Sequence, residues 1–330
     1  ELDRGPPRGL PRRMLFIGDS ITCGYGARVG TRCSGDMRGA EDAAAGFAAI
    51  VGERLDADYE LVCWSGIGVH RSVGQSRAYW GTYGMPQFWH RPMFTRSGPA
   101  WTSRPQAIVV HLGTNDLWEP GAVPRSIFVQ SYLNFVVTVA EAVLTPSSGE
   151  SGISGGSTTG SAALSAVVSK SAGNASVDGG VELAATSVPV EIILACGPMD
   201  PGPDFCGYVL DVAHQAHERQ SACGEAAVGG EGVSAGPGWT ASPGIVPTGG
   251  ESSGEPLCYV NVRFLNLSFG DGLRGDNMGC EGHPSALAHS VMADKLIALL
   301  GAEMGWRAEA APLRRPTPVV GEQASLDGTG

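Results

Sequence analysis

"MLFIGDSITCGYG", residues 14–26, runs four apolar residues into Gly18-Asp19-Ser20 and then places two more glycines within six residues of the serine. Residues 14–17 are apolar on both parities, the pattern of a strand buried on both faces and so of a parallel sheet. Gly18 and Asp19 turn the chain and leave Ser20 at the strand's carboxyl end. Two readings of that serine follow: a residue in a tight turn between two elements, or a nucleophile on display.

Four more short apolar runs, residues 59–63, 107–112, 190–195 and 262–267, have the same character. Helical patterns separate them. Phe47, Ile50, Val51 and Leu55 share one face of residues 41–57. Phe128, Tyr132, Phe135, Val136, Val139 and Val143 do so in residues 126–144, with Ser126 as N-cap. Residues 208–222 form a weaker pattern. Residues 285–300 place Leu287, Val291, Leu296 and Leu299 inward and meet a stop signal at Gly301. Alternating β and α predicts an α/β fold, a three-layer α/β/α sandwich around a five-stranded parallel sheet.

Residues 146–187 are rich in Ser, Gly and Ala, and residues 224–256 in Gly, Pro and Ser. Neither has a helical or strand period, and both read as low-complexity insertions on the surface of one domain spanning residues 12–305. Residues 1–11 and 311–330 read as tails. The formal net charge of −11 excludes a nucleic-acid partner, which needs a basic face. No apolar run in the sequence reads as long enough to cross a membrane. Eight cysteines with no CxxC pair argue against a zinc ribbon or a thioredoxin-type site. Cys23 with Cys33, and Cys196 with Cys206, are candidate bridges, while Cys63 and Cys196 also read as small buried hydrophobes within strands. His214, His217 and His289 read as surface or packing residues and not as metal ligands.

Open parallel sheets bind ligands at the carboxyl ends of their strands. The first three expected strands end in Gly18-Asp19-Ser20, in Ser65-Gly66-Ile67-Gly68 and in Gly113-Thr114-Asn115-Asp116. Far downstream, "GCEGHPSALAH" brings His283 and Pro284 to the start of the last helix. Serine hydrolysis needs an activated hydroxyl, a base within hydrogen-bond reach and donors for the oxyanion. Ser20 and His283 supply the first two. The backbone N–H groups of Ser20 and Gly66 and the side-chain amide of Asn115 supply the third. Each residue alone has a structural alternative: Ser20 as a turn residue, Asn115 as an Asx turn, His283 as a helix cap. All four in order, each at a strand end or helix start, outweigh those alternatives.

This constellation resembles the SGNH (GDSL-type) hydrolases, and "IGDSITCGYG", "SGIGVHR", "GMPQFW", "LGTNDLW" and "GCEGHPS" resemble the carbohydrate esterase family 2 branch. The resemblance implies a flavodoxin-like SGNH hydrolase fold. It also implies a serine esterase removing O-acetyl groups from xylan- or mannan-type polysaccharides or oligosaccharides, without cofactor or metal. Alternatives are a lipase or thioesterase of the same family acting on longer acyl chains, and a glycan-binding relative with weakened turnover. The expected partner is an acetylated carbohydrate, and the expected state is a secreted monomer with no membrane partner. Many members of the branch carry a β-sandwich ahead of the hydrolase domain, for which residues 1–11 are too short.

The third member of the catalytic set is the point of departure. Many SGNH enzymes place an aspartate three residues before the histidine, where this chain has Cys280. Glu281 is the candidate orienter of His283, against two alternatives: a backbone carbonyl in that role, or a solvated loop carboxylate. Asp276 and Asp271 are outside candidates. Asp19 is expected to shape the turn and, with Trp118, to stand on the substrate side. Five of the seven tryptophans (64, 80, 89, 101 and 118) fall between residues 64 and 118. Most read as packing for a long loop, and Trp118 as a ring at the site mouth. Asn174-Ala175-Ser176 is a candidate glycosylation acceptor.

Overall fold

The computed structural model describes residues 12–28, 37–72, 83–90, 104–118, 121–144, 189–202, 204–227, 256–270 and 272–308. Five strands, β1 (Arg12–Gly18), β2 (Ala57–Cys63), β3 (Ala107–His111), β4 (Val190–Cys196) and β5 (Val260–Asn266), form one all-parallel sheet in the order β2-β1-β3-β4-β5. The chain leaves β1 to one side for β2 and returns to its other side for β3. That reversal opens a crevice at the carboxyl ends of β1 and β3. In register, Gly18 lies between Cys63 of β2 and His111 of β3. The expected double-sided burial is found in β3 and β4, which are buried throughout, and in β1 from Met14 onward. The edge strands β2 and β5 are only partly buried.

Helices α1 (Phe47–Arg54), α2 (Thr114–Leu117), α3 (Arg125–Leu144), α4 (Phe205–Ala227) and α5 (Ala286–Met304) accompany the sheet, with a single helical turn at Met37–Ala40. The core divides between the two faces of the sheet. Leu15, Ile17, Ile108, Val110, Ile192 and Leu194 meet α3 and α4 on one side. Met14, Phe16, Val109 and Ile193 meet α1 and α5 on the other. Alternate residues of each central strand therefore serve opposite layers.

Three helix expectations need correction. Residues 41–57 are not one helix. Gly46 is extended (φ −72°, ψ 156°) between a 3-10 turn at Ala43–Ala45 and α1, and Ala57 already belongs to β2. The last helix stops at Gly305, which takes the left-handed conformation (φ 65°) that suits glycine, and not at Gly301. Its inner face is Ala288, His289, Met292, Ala293, Leu296 and Leu300, whereas Leu287 is 51% exposed. Small residues line this face because the helix packs directly on α1. Ser285 caps it by accepting from the Ala288 N–H at 3.3 Å.

Among the described residues, α3 is long and apolar enough to cross a membrane by length and composition, contrary to the expectation of no such run. Phe128, Tyr132, Phe135, Val136 and Val139 of this helix are buried in the domain, which marks it as a core helix.

The cysteines also depart from expectation. Cys23 pairs with Cys63 and not with Cys33, because the β1–β2 register brings the end of β2 beside the turn after β1 (Cα–Cα 5.5 Å). Cys33 lies outside the described residues. Cys196–Cys206 forms as expected, so Cys63 and Cys196 are bridged cysteines and not simple hydrophobes. Cys223–Cys258 joins α4 to the 3-10 turn before β5 (Cα–Cα 5.8 Å). α4 runs into the expected second insertion as far as Ala227. The segment 146–187, residues 228–255, both tails, Trp80, Trp101, Asn174 and Asp271 lie outside the described residues.

Candidate active site

The turn after β1 is tight. Asp19 accepts from the Ile21 N–H through Oδ1 (3.0 Å), the Cys23 N–H donates to Asp19 O (3.0 Å), and the Tyr25 N–H donates to Ser20 O (2.9 Å). Ser20 is thereby fixed at the strand end. Its Oγ lies 2.8 Å from His283 Nε2. On the far side of the imidazole, Nδ1 lies 3.3 Å from the backbone carbonyl of Glu281. A carbonyl oxygen only accepts, so the proton resides on Nδ1 and Nε2 is left as the acceptor for the serine hydroxyl. His283 is held below the ordinary histidine range, first by burial. Hydrogen bonding to the Glu281 and Cys280 backbones and the Glu281 charge oppose that shift.

The Glu281 expectation is corrected in one respect. Its carboxylate does not meet the imidazole; Oε2 accepts from the Tyr25 hydroxyl at 3.0 Å. The residue reaches His283 through its main chain, because Glu281 adopts a left-handed conformation (φ 50°, ψ 38°) that turns its carbonyl toward Nδ1. Asp276 uses its backbone carbonyl to accept from the Ser285 hydroxyl, and its exposed side chain belongs to the loop. Cys280, in the position where an aspartate was sought, is buried and disulfide-bonded.

The three expected oxyanion donors lie on turns that hydrogen bonds of Asn115 tie together. Asn115 Nδ2 donates to Ile67 O at 2.8 Å and to Asp19 Oδ2 at 3.3 Å, so its amide sits between the residue after Gly66 and the residue before Ser20. Gly66 takes φ 81°, a conformation that favours glycine and that bends the β2 turn around Asn115. Among the described residues, the Ser20 and Gly66 N–H groups donate to no protein acceptor.

Asp19 does not stand on the substrate side. It is 1% exposed, and its carboxylate is engaged by Ile21 and Asn115. Burial pushes it up to about 7, with the nearby Asp116 charge adding to the rise. Trp118 is 46% exposed, three residues beyond Asn115, whereas Trp89 is buried. Arg71 fixes that stretch by donating to Trp118 O (2.7 Å) and Asn115 O (3.2 Å).

Sequence reasoning gave no role to Asp116, Tyr25 or Arg71, although all three lie inside quoted motifs. Asp116 is fully buried and accepts the N–H groups of Val69 (2.8 Å), His70 (2.7 Å) and Arg71 (2.8 Å), which locks the turn after β2 to the turn after β3. The signal available was an acidic residue beside Asn115 opposite a glycine-rich turn full of unpaired donors. His289 is a packing residue: it is buried, and its Nδ1 accepts from the Phe47 N–H at 3.2 Å. His217 bonds to Val262 O, and His214 is exposed.

Residues 16–178 match the GDSL-like Lipase/Acylhydrolase family. The cellulase/esterase CelE of Acetivibrio thermocellus is 33% identical over 138 residues, 40% of this chain and 16% of that protein. An acetylxylan esterase / glucomannan deacetylase of Cellvibrio japonicus is 30% identical over 143 residues, 41% of this chain and 38% of that protein. The chain thus spans less than half the length of these curated relatives. A family two carbohydrate esterase from Clostridium thermocellum, solved with cellohexaose, superposes with TM-score 0.55 at 21% identity, covering 92% of this chain and 67% of that one. A family two carbohydrate esterase from Cellvibrio japonicus gives TM-score 0.53 at 20% identity over 91% of this chain and 64% of that one. The structural likenesses establish the fold, and the family match covers the first three motifs. By fold, motif order and family match, the chain resembles the SGNH (GDSL-type) hydrolases and, among them, the carbohydrate esterase family 2 branch.

Proposed function

We propose that this chain is a serine esterase that removes O-acetyl groups from xylan- or mannan-type polysaccharides or their oligosaccharides. The observation that carries the reading is the line Ser20 Oγ–His283 Nε2–His283 Nδ1–Glu281 O, at 2.8 and 3.3 Å. His283 takes the Ser20 proton as the serine oxygen attacks the acetyl carbonyl. The Ser20 and Gly66 N–H groups, with the Asn115 amide, receive the negative charge that develops on the carbonyl oxygen. Asn115 redirects its longer bond, the one to Asp19, when it does so. His283 then protonates the departing sugar oxygen, and water, activated by the same imidazole, releases acetate and restores Ser20.

The substrate assignment rests on the similarity to an acetylxylan esterase / glucomannan deacetylase and on Trp118, whose exposed ring suits stacking on a sugar face. The Cys23–Cys63, Cys196–Cys206 and Cys223–Cys258 bridges, with no free cysteine among the described residues, support an oxidising and hence extracellular setting. The working unit is one domain over residues 12–305, acting as a monomer.

The test is acetate release from acetylated xylan, acetylated glucomannan and a small acetyl ester by the wild-type protein and by Ser20→Ala. The wild type should release acetate, and the variant should lose at least 10³-fold while keeping its circular dichroism, on the order seen when a serine triad is dismantled. Activity retained by Ser20→Ala would refute the assignment. Faster turnover of octanoyl than acetyl esters would move the substrate to longer acyl chains.

A further inference from the structure

Tyr25 joins the two halves of the candidate site. Its N–H donates to Ser20 O at 2.9 Å, which ties it to the nucleophile's own turn. Its hydroxyl donates to Glu281 Oε2 at 3.0 Å, across 256 positions of sequence, in the turn that carries the base. Its ring meets the His283 imidazole edge-on, with centroids 4.5 Å apart. The ring is 4% exposed, and an isolated antiparallel bridge to Glu41 holds its backbone from the other side. Gly26, the next residue, lies so close to the base that a Cβ there would come within 2.9 Å of His283 Cβ.

The contact at Glu281 matters because of that residue's backbone. A non-glycine residue at φ 50° sits in a sparsely populated region and stays there only where its surroundings enforce it. The same dihedral turns the Glu281 carbonyl toward His283 Nδ1. We propose that Tyr25 is a positioning residue for catalysis. Through its hydroxyl it grips the Glu281 carboxylate and so holds the left-handed backbone whose carbonyl fixes the tautomer and orientation of His283. The Glu281 side chain thus serves the base at one remove, as the handle by which its own main chain is placed. This inference rests on the esterase reading for its kinetic consequence, but the geometry it asserts is independent of turnover.

The experiment compares wild type with Tyr25→Phe, Glu281→Ala, Glu281→Gln and the double variant Tyr25→Phe/Glu281→Ala. It reads kcat and KM on para-nitrophenyl acetate, thermal midpoints, and the imidazole nitrogen NMR of protein labelled with ¹⁵N-histidine. Tyr25→Phe keeps the ring, and Glu281→Gln keeps an oxygen able to accept from the tyrosine.

Tyr25→Phe and Glu281→Ala should each lower kcat by on the order of ten-fold or more, with KM within two-fold of wild type. The double variant should be no worse than the poorer single one, because both remove the same contact. Glu281→Gln should stay within a few-fold of wild type. The protected Nδ1–H signal of His283 should broaden into exchange in the first two variants and persist in Glu281→Gln.

Wild-type kcat with an unchanged His283 signal in Tyr25→Phe would overturn the proposal. So would losses that multiply in the double variant, or a Glu281→Gln loss equal to that of Glu281→Ala, which would assign the effect to charge. If Tyr25→Phe does not fold, Glu281→Ala against Glu281→Gln decides, since that carboxylate is on the surface. A wild-type protein inactive on acetyl esters would refute the esterase reading alone, and the NMR comparison would still decide the role of Tyr25.

Discussion

Replacing Cys23 and Cys63 together by alanine should cost stability and turnover for separate reasons, and the structure sizes the first. The bridge spans 40 residues of sequence. Restricting a loop of that size lowers the entropy of the unfolded chain by about 13 cal/mol/K, or about 4 kcal/mol at 25 °C. The same arithmetic gives about 3.8 kcal/mol for Cys223–Cys258, at a separation of 35, and about 2.7 kcal/mol for Cys196–Cys206, at a separation of 10. At roughly 2–4 °C per kcal/mol for a domain of this size, the first two losses are roughly 8–16 °C in Tm and the third roughly 5–11 °C. Turnover separates the two large cases. Cys23–Cys63 joins the turn that presents Ser20 to the strand that ends just before Gly66, so its loss should loosen the two proposed backbone donors to the oxyanion. Cys258 precedes the first residue of β5, at the opposite edge of the sheet, so the Cys223–Cys258 bridge does not reach the site. Calorimetric Tm for the three double-alanine variants, with kcat measured well below the lowest Tm, tests both parts. If the Cys196–Cys206 pair proves the most costly, the loop-entropy account fails. If kcat falls equally without Cys223–Cys258, the Cys23–Cys63 bridge has no special hold on the oxyanion turns.

Two further outcomes follow from the site. Asn115→Ala should lower kcat by on the order of 10²–10³ with little change in KM, as for other side-chain oxyanion donors, and a loss below ten-fold in steady-state rates would remove Asn115 from that role. His283 must be neutral to accept the serine proton, and burial holds it below the ordinary histidine value of 6.5. The active form therefore persists as pH falls through 6.5 and is lost only below it, so the acid limb of kcat/KM should have its midpoint under 6.5; a midpoint above that value would contradict the desolvated imidazole.

How far the sequence could be read depended on what kind of group carried each interaction. Ser20, Gly66, Asn115 and His283 were legible because side-chain chemistry and strand-end position both mark them, and the parallel sheet brings strand ends together whatever the loops do. The orienter of His283 was not legible in the same way. Every residue has a carbonyl, and which one faces Nδ1 depends on the φ and ψ of Glu281, which the letters Cys-Glu-Gly do not specify. The Cys23–Cys63 pairing needed the β1–β2 register, a long-range property invisible to spacing. On α5, Leu296 and Leu299 face the core as their spacing implies, but Leu287 does not, because alanines share the inner face. Close packing on α1 puts Ala288 and Ala293 inside and Leu287 out. Gly46 shortened α1 for a local reason that the apolar periodicity of residues 41–57 had masked.

The two buried aspartates show what the site asks of the fold. Asp19 is pushed up to about 7 and Asp116 to about 6, in both cases chiefly by burial, and the nearby Asp116 charge adds to the rise at Asp19. A carboxyl group whose folded value lies above its unfolded value of 3.8 adds stability below 3.8 and loses it as pH rises through the folded value. At neutral pH the two buried carboxyl groups therefore cost the fold several kcal/mol relative to groups left in water. Apolar residues at 19 and 116 would avoid that cost but would strand five donors: the N–H groups of Ile21, Val69, His70 and Arg71 and one hydrogen of the Asn115 amide. Those are the groups that fix the turns after β1, β2 and β3 against one another. The carboxylates thus convert folding free energy into a fixed spacing among the Ser20 N–H, the Gly66 N–H and the Asn115 amide. In the proposed role, an arriving oxyanion meets two backbone donors already in place, and Asn115 has only its longer bond, to Asp19, to redirect; donors held ready in this way are the ones that lower a barrier most.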